Sequence, residues 1–243
     1  MMAVALSREI KDGGTYIIGT GLPLMGAVLA KNTHAKNAHL IFETALFEGA
    51  PEELPSSVSD LRINLGASVL WPQYRYFGFQ ALAARTHAID AGFLGGAQID
   101  PYGNLNSTCI GPYGRPVTRF TGSGGANGIA TCCDTVIVMK HQKRRFVEKV
   151  DYVTSPGWID GPGGRERKGL PGEAGPRAVV TELGVMRFDS DTKRMYLSEY
   201  FPGTAISDIT ENTGFEVDTS RAVMSLPPTE EALRVLREKA GIR

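Results

Sequence analysis

The sequence predicts an α/β protein with an open, mostly parallel sheet flanked by helices and a long Gly/Pro-rich segment that wraps over a neighbouring surface. Two observations predict the sheet: short apolar, β-rich runs recur along the chain, and amphipathic stretches alternate with them. This alternation is typical of βαβ units, whose strands are parallel. The third observation is the composition of residues 154–177, TSPGWIDGPGGRERKGLPGEAGPR, where Gly and Pro interrupt any regular element.

Five strands are predicted between residues 15 and 140. They are TYIIG (15–19), HLIFE (39–43), ASVLW (67–71), AIDAGFLGG (88–96) and DTVIVMK (134–140). Helices are predicted for LMGAVLAKNTHA (24–35) and YFGFQALAARTH (76–87). If the first two strands are parallel neighbours, Glu43 lies at the carboxyl end of its strand, where ligands bind in open α/β sheets.

The second half is less regular. Residues 97–128 are so rich in turn formers that no long regular element is expected, and an irregular run of this length is usually functional. AVVTELGVMRFD (178–189) and RMYLSEYF (194–201) alternate like two strands of a hairpin, and PTEEALRVLREKAG (228–241) predicts a capped C-terminal helix. Without a repeat or a clear linker, residues 1–243 are interpreted as one domain.

The composition excludes several classes of function. The 26 basic and 26 acidic residues cancel, so no excess positive charge favours nucleic acid. No run of eighteen apolar residues or secretory leader is present, which predicts a cytoplasmic protein that does not enter the membrane. Cys109, Cys132 and Cys133 match no disulfide framework or zinc spacing, and the four histidines are scattered, so no metal site is expected.

Two further stretches each have a functional and a structural interpretation. GSGGANG (122–128) would place backbone amides against an anionic ligand, but it matches neither a Walker A loop nor a dinucleotide fingerprint, and it also fits a tight turn. KHQKRRFVEK (140–149) is either a solvated face at the end of a strand or a clamp for the phosphates of a nucleotide-like cofactor.

Glu43 is the third candidate group. A carboxylate beside apolar neighbours has a raised pKa or is held by backbone amides, since removing its charge from water is costly. The alternative interpretation is a salt bridge across the fold, to Arg62 or Arg119.

Taken together, long segments of the chain resemble the B subunit of glutaconate CoA-transferases, within the class I CoA-transferases. The resemblance covers nearly the whole chain and is densest in GTGLPL, GGAQIDPYGNLNST, TRFTGSGGANGIAT, KRRFVEKVDYVTSPGWIDGPGGRERKGLPGEAGP, KRMYL and ENTGF. It implies the class I CoA-transferase fold. It also implies that Glu43 is the nucleophile, which attacks an acyl-CoA and then carries CoA as a glutamyl thioester before an acid accepts it.

The resemblance also implies the remaining parts of the site. The loop would bind CoA and the oxyanion through Gly122, Gly124, Gly125, Ala126, Asn127 and Gly128. Coenzyme A is a substrate, and no permanently bound cofactor or metal is implied. The partner is the A subunit of the family, in A2B2 or A4B4 assemblies, and residues 154–177 would embrace it. Lys143, Arg144 and Arg145 would contact a CoA phosphate or lie at the interface between the two subunits.

One departure from the family pattern concerns the residues after the nucleophile. Transferases of this type usually continue Glu-Ser-Gly, whereas this chain has Glu43, Thr44 and Ala45, and Glu48 adds a nearby carboxylate. The acyl group could therefore differ from glutaconyl. The alternative function is an acyl-CoA hydrolase, decarboxylase or C–C bond hydrolase that uses Glu43 as a base, and a lesser one is a non-catalytic partner.

Overall fold

The computed structural model describes residues 1–42, 46–49, 60–70, 72 and 88–240. The chain divides into two compact units, Met1–Phe93 with Pro227–Arg243, and Leu94–Leu226. The predicted helix at 76–87 lies outside the described residues.

The helices are α1 (Met2–Arg8), α2 (Leu22–Asn32), α3 (Ala126–Cys132), α4 (Gly164–Arg167), α5 (Ile206–Glu211) and α6 (Glu230–Ala240), with a 3₁₀ turn at Leu61–Asn64. The strands are β1 (Thr15–Ile18), β2 (His39–Phe42), β3 (Leu46–Phe47), β4 (Val69–Leu70), β5 (Ala91–Leu94), β6 (Gln98–Ile99), β7 (Leu105–Asn106), β8 (Cys109–Ile110), β9 (Thr118–Arg119), β10 (Asp134–Val138), β11 (Pro176–Val180), β12 (Gly184–Phe188), β13 (Met195–Tyr200) and β14 (Val223–Met224).

The first unit has a parallel core. Its strand order is β5-β1-β2-β3-β4, in which β1 pairs parallel with both β5 and β2, while β3 and β4 add antiparallel pairs at the edge. The central strands are buried on nearly every residue, as expected when both faces of a parallel strand are covered. The predicted pairing of the first two strands is confirmed.

Helices α1, α2 and α6 form an apolar cluster in this unit. Its buried members are Ala3, Val4, Leu29, Ala232, Val235 and Leu236. Helix α6 was predicted from its period and its cap, and the Thr229 hydroxyl does accept the Ala232 N–H at 3.1 Å. Helix α1 was not predicted, because it has no cap residue and its stability comes from packing against α2, where a side chain at Gly26 would meet Leu6 Cβ at 2.7 Å.

The second unit has a mixed sheet in the order β14-β13-β12-β11-β10. Strands β10 and β11 are parallel, β11, β12 and β13 form an antiparallel meander, and β13 and β14 are parallel. The prediction of a single strand at 178–189 was wrong in one respect: a tight turn divides it into β11 and β12. Thr181 stabilises that turn, since its hydroxyl accepts the N–H groups of Leu183 and Gly184, both at 3.2 Å.

The two Gly/Pro-rich segments lie in the second unit. As predicted, residues 97–128 form no long element before α3; they make the two short hairpins β6-β7 and β8-β9. In 154–177 the only helix described is the single turn α4, and Gly157 lies directly against the 102–104 turn, where a Cβ would stand 2.4 Å from the Tyr102 carbonyl oxygen. This part of the segment therefore packs against its own unit.

Candidate functional site

The predicted nucleophile, Glu43, lies outside the described residues. Strand β2, which precedes it, ends at Phe42, and Phe42 is in register with Ile18 at the end of β1. The carboxyl ends of these two parallel strands are therefore level. The carboxyl end of β2 therefore belongs to the sheet edge at which α/β proteins bind ligands.

The charged residues considered as partners or neighbours of Glu43 have other contacts. Glu48 has a positive φ of 58° and binds His39 Nδ1 at 2.7 Å and Lys31 Nζ at 3.1 Å. Arg62 pairs with Asp60 at 2.6 Å. The lysine contact offsets the negative charge of Glu48, which weakens any repulsion that this carboxylate exerts on neighbouring acids.

Arg119, the other suggested partner, is engaged within its own hairpin. Its Nη2 donates to the Tyr113 carbonyl at 2.9 Å, and its guanidinium carbon lies 4.8 Å from the centroid of the Tyr113 ring. The Arg119 guanidinium is therefore held by a carbonyl and an aromatic ring, and this arrangement needs no carboxylate partner.

The Gly-rich loop, residues 122–128, has a backbone that depends on glycine. Gly122 and Gly124 have positive φ values of 92° and 51°, a region that side chains with a Cβ disfavour. The loop leads directly into α3, whose N-cap is Gly125. Two of its backbone amides already have acceptors in the protein: the Gly122 N–H donates to the Ser107 carbonyl and the Ala126 N–H donates to the Ser123 carbonyl, both at 3.0 Å.

Several other loop amides remain open. Within the described residues, the backbone N–H groups of Ser123, Gly124, Asn127 and Gly128 have no hydrogen-bond acceptor. Such a cluster of amides is a receptor for a negatively charged oxygen. The resemblance implies Gly124, Asn127 and Gly128 as binding residues. It does not name Ser123, and only the fold shows that the Ser123 amide also lacks an acceptor.

A network of hydroxyl and amide side chains anchors this loop. The Asn127 side-chain amide donates to the Thr154 carbonyl at 2.8 Å. The Thr154 hydroxyl accepts the Ser107 N–H at 2.9 Å and lies 2.7 Å from the Thr108 hydroxyl. Since Ser107 also accepts the Gly122 amide, both ends of the loop are attached to the same cluster, which no local sequence pattern predicts.

Arg165 anchors the far end of α3. The side chain is only 1% exposed, and its guanidinium donates to five backbone carbonyls, those of Ala130, Thr131, Pro156, Gly157 and Pro171. Two of these carbonyls lie at the C-terminal end of α3, where a cation is favourable. Burial lowers the pKa of Arg165 from its ordinary value, yet a guanidinium stays charged at neutral pH.

Two other buried titratable groups support the surrounding loops. Burial raises the pKa of Asp100 to about 6, although the N–H groups of Tyr102 and Asn104 and the Asn104 side-chain amide donate to the carboxylate. Burial lowers the pKa of His141 to about 4. At neutral pH His141 is therefore a neutral ring, stacked on Phe146 at 4.1 Å.

The cysteines have no features of catalytic thiols. All three are free; Cys109 and Cys133 are buried, and Cys132 is half-buried. Burial raises the pKa of Cys133 to about 12 and also raises that of Cys132. Since the thiolate is the nucleophilic form, these two thiols are unreactive near neutral pH.

A cavity of about 380 Å³ lies beside the Gly-rich loop. Its lining residues are Gly96, Ala97, Ser107, Phe120, Thr121, Arg144 and Arg145. Thr121 directly precedes the loop, and Ser107 accepts a hydrogen bond from it. Two arginines of the basic run 140–149 thus line the same cavity as Thr121, the residue before the loop.

A second cavity, of about 570 Å³, differs in its charge. Arg221 lines it, but pairs with Asp189 at 3.0 Å and Asp218 at 3.3 Å and lies 3.8 Å from the Tyr196 ring centroid. Hydrogen bonds from Thr192 and Asp191, with Arg221, lower the pKa of Asp189 to about 2. Carboxylates outnumber cations in this cavity, because Asp189, Glu216 and Asp218 line it together with Arg194 and Arg221.

The described residues contain no group of three or more His, Cys, Asp or Glu side chains that could hold a metal ion. Over the same part of the chain, no helix is long and apolar enough to cross a membrane.

The chain matches known proteins along nearly its whole length. The coenzyme A transferase family model matches residues 1–212. The B subunit of glutaconate CoA-transferase from Acidaminococcus fermentans is 52% identical over 241 residues, with 98% of this chain and 90% of the relative covered. The B subunit of 3-oxoadipate CoA-transferase from Pseudomonas knackmussii is 36% identical over 239 residues, again covering 98% of this chain and 90% of the relative.

The same relationship holds in three dimensions. The crystal structure of glutaconate coenzyme A-transferase from Acidaminococcus fermentans matches with a TM-score of 0.96 and 52% identity, over 99% of this chain and 93% of that chain. This likeness confirms the predicted fold class, and the sequence matches confirm the resemblance inferred from the long Gly-rich segments. The chain belongs to the coenzyme A transferase family.

Proposed function

We propose that this chain is the B subunit of a heteromeric class I CoA-transferase that moves CoA between an acyl-CoA and a carboxylic acid through a thioester on Glu43. The acyl group is short and carries a second carboxylate, since the two relatives at 52% and 36% identity are named for glutaconate and 3-oxoadipate. The observation that carries the proposal is the Gly-rich loop, whose open amides form an oxyanion receptor of the kind that acyl transfer requires.

The reaction proceeds through two anhydrides. The Glu43 carboxylate attacks the thioester carbon of the acyl-CoA, the C–S bond breaks, and a mixed anhydride and the CoA thiolate result. The thiolate then attacks the glutamyl carbonyl, which releases the first acid as its carboxylate and leaves a glutamyl-CoA thioester. A second carboxylate attacks this thioester to form a new anhydride, and the thiolate attacks its acyl carbonyl, so that the product acyl-CoA leaves and Glu43 is regenerated.

The loop amides have one role in all four steps. Each attack on a carbonyl produces a tetrahedral oxyanion, and the N–H groups of Ser123, Gly124, Asn127 and Gly128 are the candidate donors. Fixed donors stabilise this charge without reorganising during the reaction. The positive φ of Gly122 and Gly124 and the anchoring of Asn127 to Thr154 hold those amides in position.

Coenzyme A is a substrate in this scheme, and no step requires a metal or a permanently bound cofactor. The partner is an A-type chain of the same family, because the relatives are named as B subunits. We place the pair in an A2B2 or A4B4 assembly, whose stoichiometry native mass spectrometry of the co-expressed complex will establish.

The test uses that complex and one acyl-CoA without an acceptor acid. Borohydride treatment followed by peptide mapping should find a reduced or CoA-linked adduct at Glu43. Glu43→Gln should give no adduct and should lower CoA transfer by at least about 10³-fold, the loss typical of removing a nucleophile that acts throughout the reaction. Glu48→Gln is the matched control, because Glu48 already binds Lys31 and His39.

Two results would contradict the proposal. Loss of thioester that needs no acceptor and leaves no adduct on Glu43 would indicate hydrolysis or bond cleavage with Glu43 as a base. Full CoA transfer by the Glu43→Gln complex would place the catalytic residue elsewhere and make this chain a non-catalytic partner.

A further inference from the structure

We propose that the cavity beside the Gly-rich loop binds a phosphate group of coenzyme A, and that Arg144 is the cation that holds it. This inference rests on the proposed function, since it concerns the same acyl-CoA substrate. It assigns a binding role to one arginine of the run 140–149. The sequence alone allowed three interpretations of this run: a solvated face, a phosphate contact or an interface between subunits.

The two arginines of the cavity differ in how firmly they are held. Arg145 is half-buried and donates from Nη1 to the Gly96 carbonyl and from Nε to Gln142 Oε1, both at 3.2 Å. Arg144 is exposed and donates only through Nε, to the same Gln142 oxygen at 3.1 Å. Gln142 thereby orients both side chains, and the terminal nitrogens of Arg144 are left for a ligand.

The charge of this cavity is not balanced by the protein. Among the described residues, no carboxylate lies within 4 Å of either guanidinium. In the second cavity, by contrast, Arg221 is paired with two aspartates. An unpaired guanidinium with free parallel donors suits a phosphate, which it can bind through two hydrogen bonds.

The other lining groups also fit a nucleotide phosphate. Ser107 and Thr121 supply hydroxyl groups, and Phe120 supplies an aromatic ring. Arg144 lines the cavity and is exposed to solvent, as expected for a residue that contacts the most strongly hydrated part of CoA. The distal carboxylate of a dicarboxylic acyl group is a poorer fit, because the acyl end must be shielded from water if the anhydrides are to survive.

The experiment compares one acyl group on three carriers: CoA, 3′-dephospho-CoA and pantetheine, which has no phosphate. Steady-state kinetics are measured for the two-subunit complex with wild-type chain, Arg144→Gln and Arg144→Lys. Arg144→Gln should raise the KM for acyl-CoA by about 10- to 100-fold, as expected for the loss of a charge-assisted hydrogen bond. The kcat should stay within about twofold, since the interaction is equal in ground and transition states.

The measurement with acyl-pantetheine decides whether Arg144 binds a phosphate. The kcat/KM of Arg144→Gln for this substrate should equal the wild-type value, because there is no phosphate to lose. The dephospho arm identifies the phosphate: if the defect disappears with 3′-dephospho-CoA, Arg144 binds the 3′-phosphate, and if it persists, Arg144 binds the pyrophosphate. Arg144→Lys should recover part of the KM, as a lysine keeps the charge but not the paired donors.

The control variant is Lys149→Gln, which removes one exposed charge from the same run without touching the cavity. An equal defect in Lys149→Gln would indicate a general charge effect and overturn the proposal. The proposal is also overturned if Arg144→Gln lowers kcat/KM as much for acyl-pantetheine as for acyl-CoA. If that loss is absent with a monocarboxylic acyl group, the cavity binds the acyl carboxylate instead of a phosphate. If wild-type complex turns over none of the three thioesters, the proposed function itself fails.

Discussion

The buried arginine beneath α3 leads to the most direct test of the structure. Replacing Arg165 by Lys keeps the charge but reduces the number of donors. The guanidinium uses all five of its N–H donors on five carbonyls, whereas an ammonium has only three donors. At least two of the five carbonyls, all of which face a side chain that is only 1% exposed, must therefore lose their partner.

The expected cost follows from this deficit. A buried polar group without a hydrogen bond costs about 1–3 kcal/mol, so two of them lower the free energy of unfolding by about 2–6 kcal/mol. For a chain of this size that corresponds to a fall in Tm of roughly 4–24 °C. Since folded proteins are stable by about 5–15 kcal/mol, the variant should still fold, although with a clearly reduced margin.

The assay is thermal unfolding followed by circular dichroism at neutral pH. Arg167→Lys is the matched control, because Arg167 lies two residues away and pairs with Asp160 at 2.7 Å with its side chain 58% exposed. An exposed pair contributes little, so the Tm of this variant should fall by no more than about 2–4 °C. If Arg165→Lys unfolds at the temperature of Arg167→Lys, the five-carbonyl arrangement does not stabilise the protein and the reasoning is wrong.

Three further predictions concern single positions in the second unit. Gly157→Ala should strongly destabilise the protein, because a Cβ there would stand 2.4 Å from backbone atoms, whereas at Gly114 it meets nothing within 4 Å; equal unfolding midpoints in urea for the two alanine variants would contradict the packing. His141 has its pKa lowered to about 4 from an ordinary value of 6.5, so the unfolded chain binds the proton more tightly and stability should be lost as the pH falls from 6.5 to 4, by about 3 kcal/mol in all. A His141→Asn variant should lack this part of the pH dependence, and an unchanged slope in urea titrations at several pH values would refute the assignment. Thr154→Val should cost about 1 kcal/mol, because the half-buried Ser107 N–H loses its acceptor, and hydrogen exchange at that amide should become faster; unchanged exchange would mean that the hydroxyl is not its partner.

Local patterns in the sequence were enough for the parallel core and the C-terminal helix. Strands β1 and β2 are short apolar runs bounded by turn residues, and α6 repeats its buried residues at helical spacing with a threonine cap. These features depend on neighbours within a few residues, so they can be read from the chain. The same holds for the glycine loop, since positive φ values at Gly122 and Gly124 exclude most other residues.

The family followed from longer segments. Their unusual composition spans nearly the whole chain, and the comparisons confirm the membership that they indicate. The role of Glu43 rests on that resemblance and on its chain position after β2, and it stays a prediction until the adduct is sought. The sequence by itself therefore determined the paired strands β1 and β2, the C-terminal helix, the family and the candidate nucleophile.

Only the tertiary structure decided which polar groups are buried and what they bind. In the stretch GRERKG nothing distinguishes Arg165, which is almost fully buried, from Arg167, which is exposed. Likewise, Arg144 and Ser107 line one cavity although 37 residues separate them in the chain. Burial and cavity shape depend on contacts between distant segments, and because local periodicity contains no information about such contacts, the fold had to bring these groups together before their chemistry could be recognised.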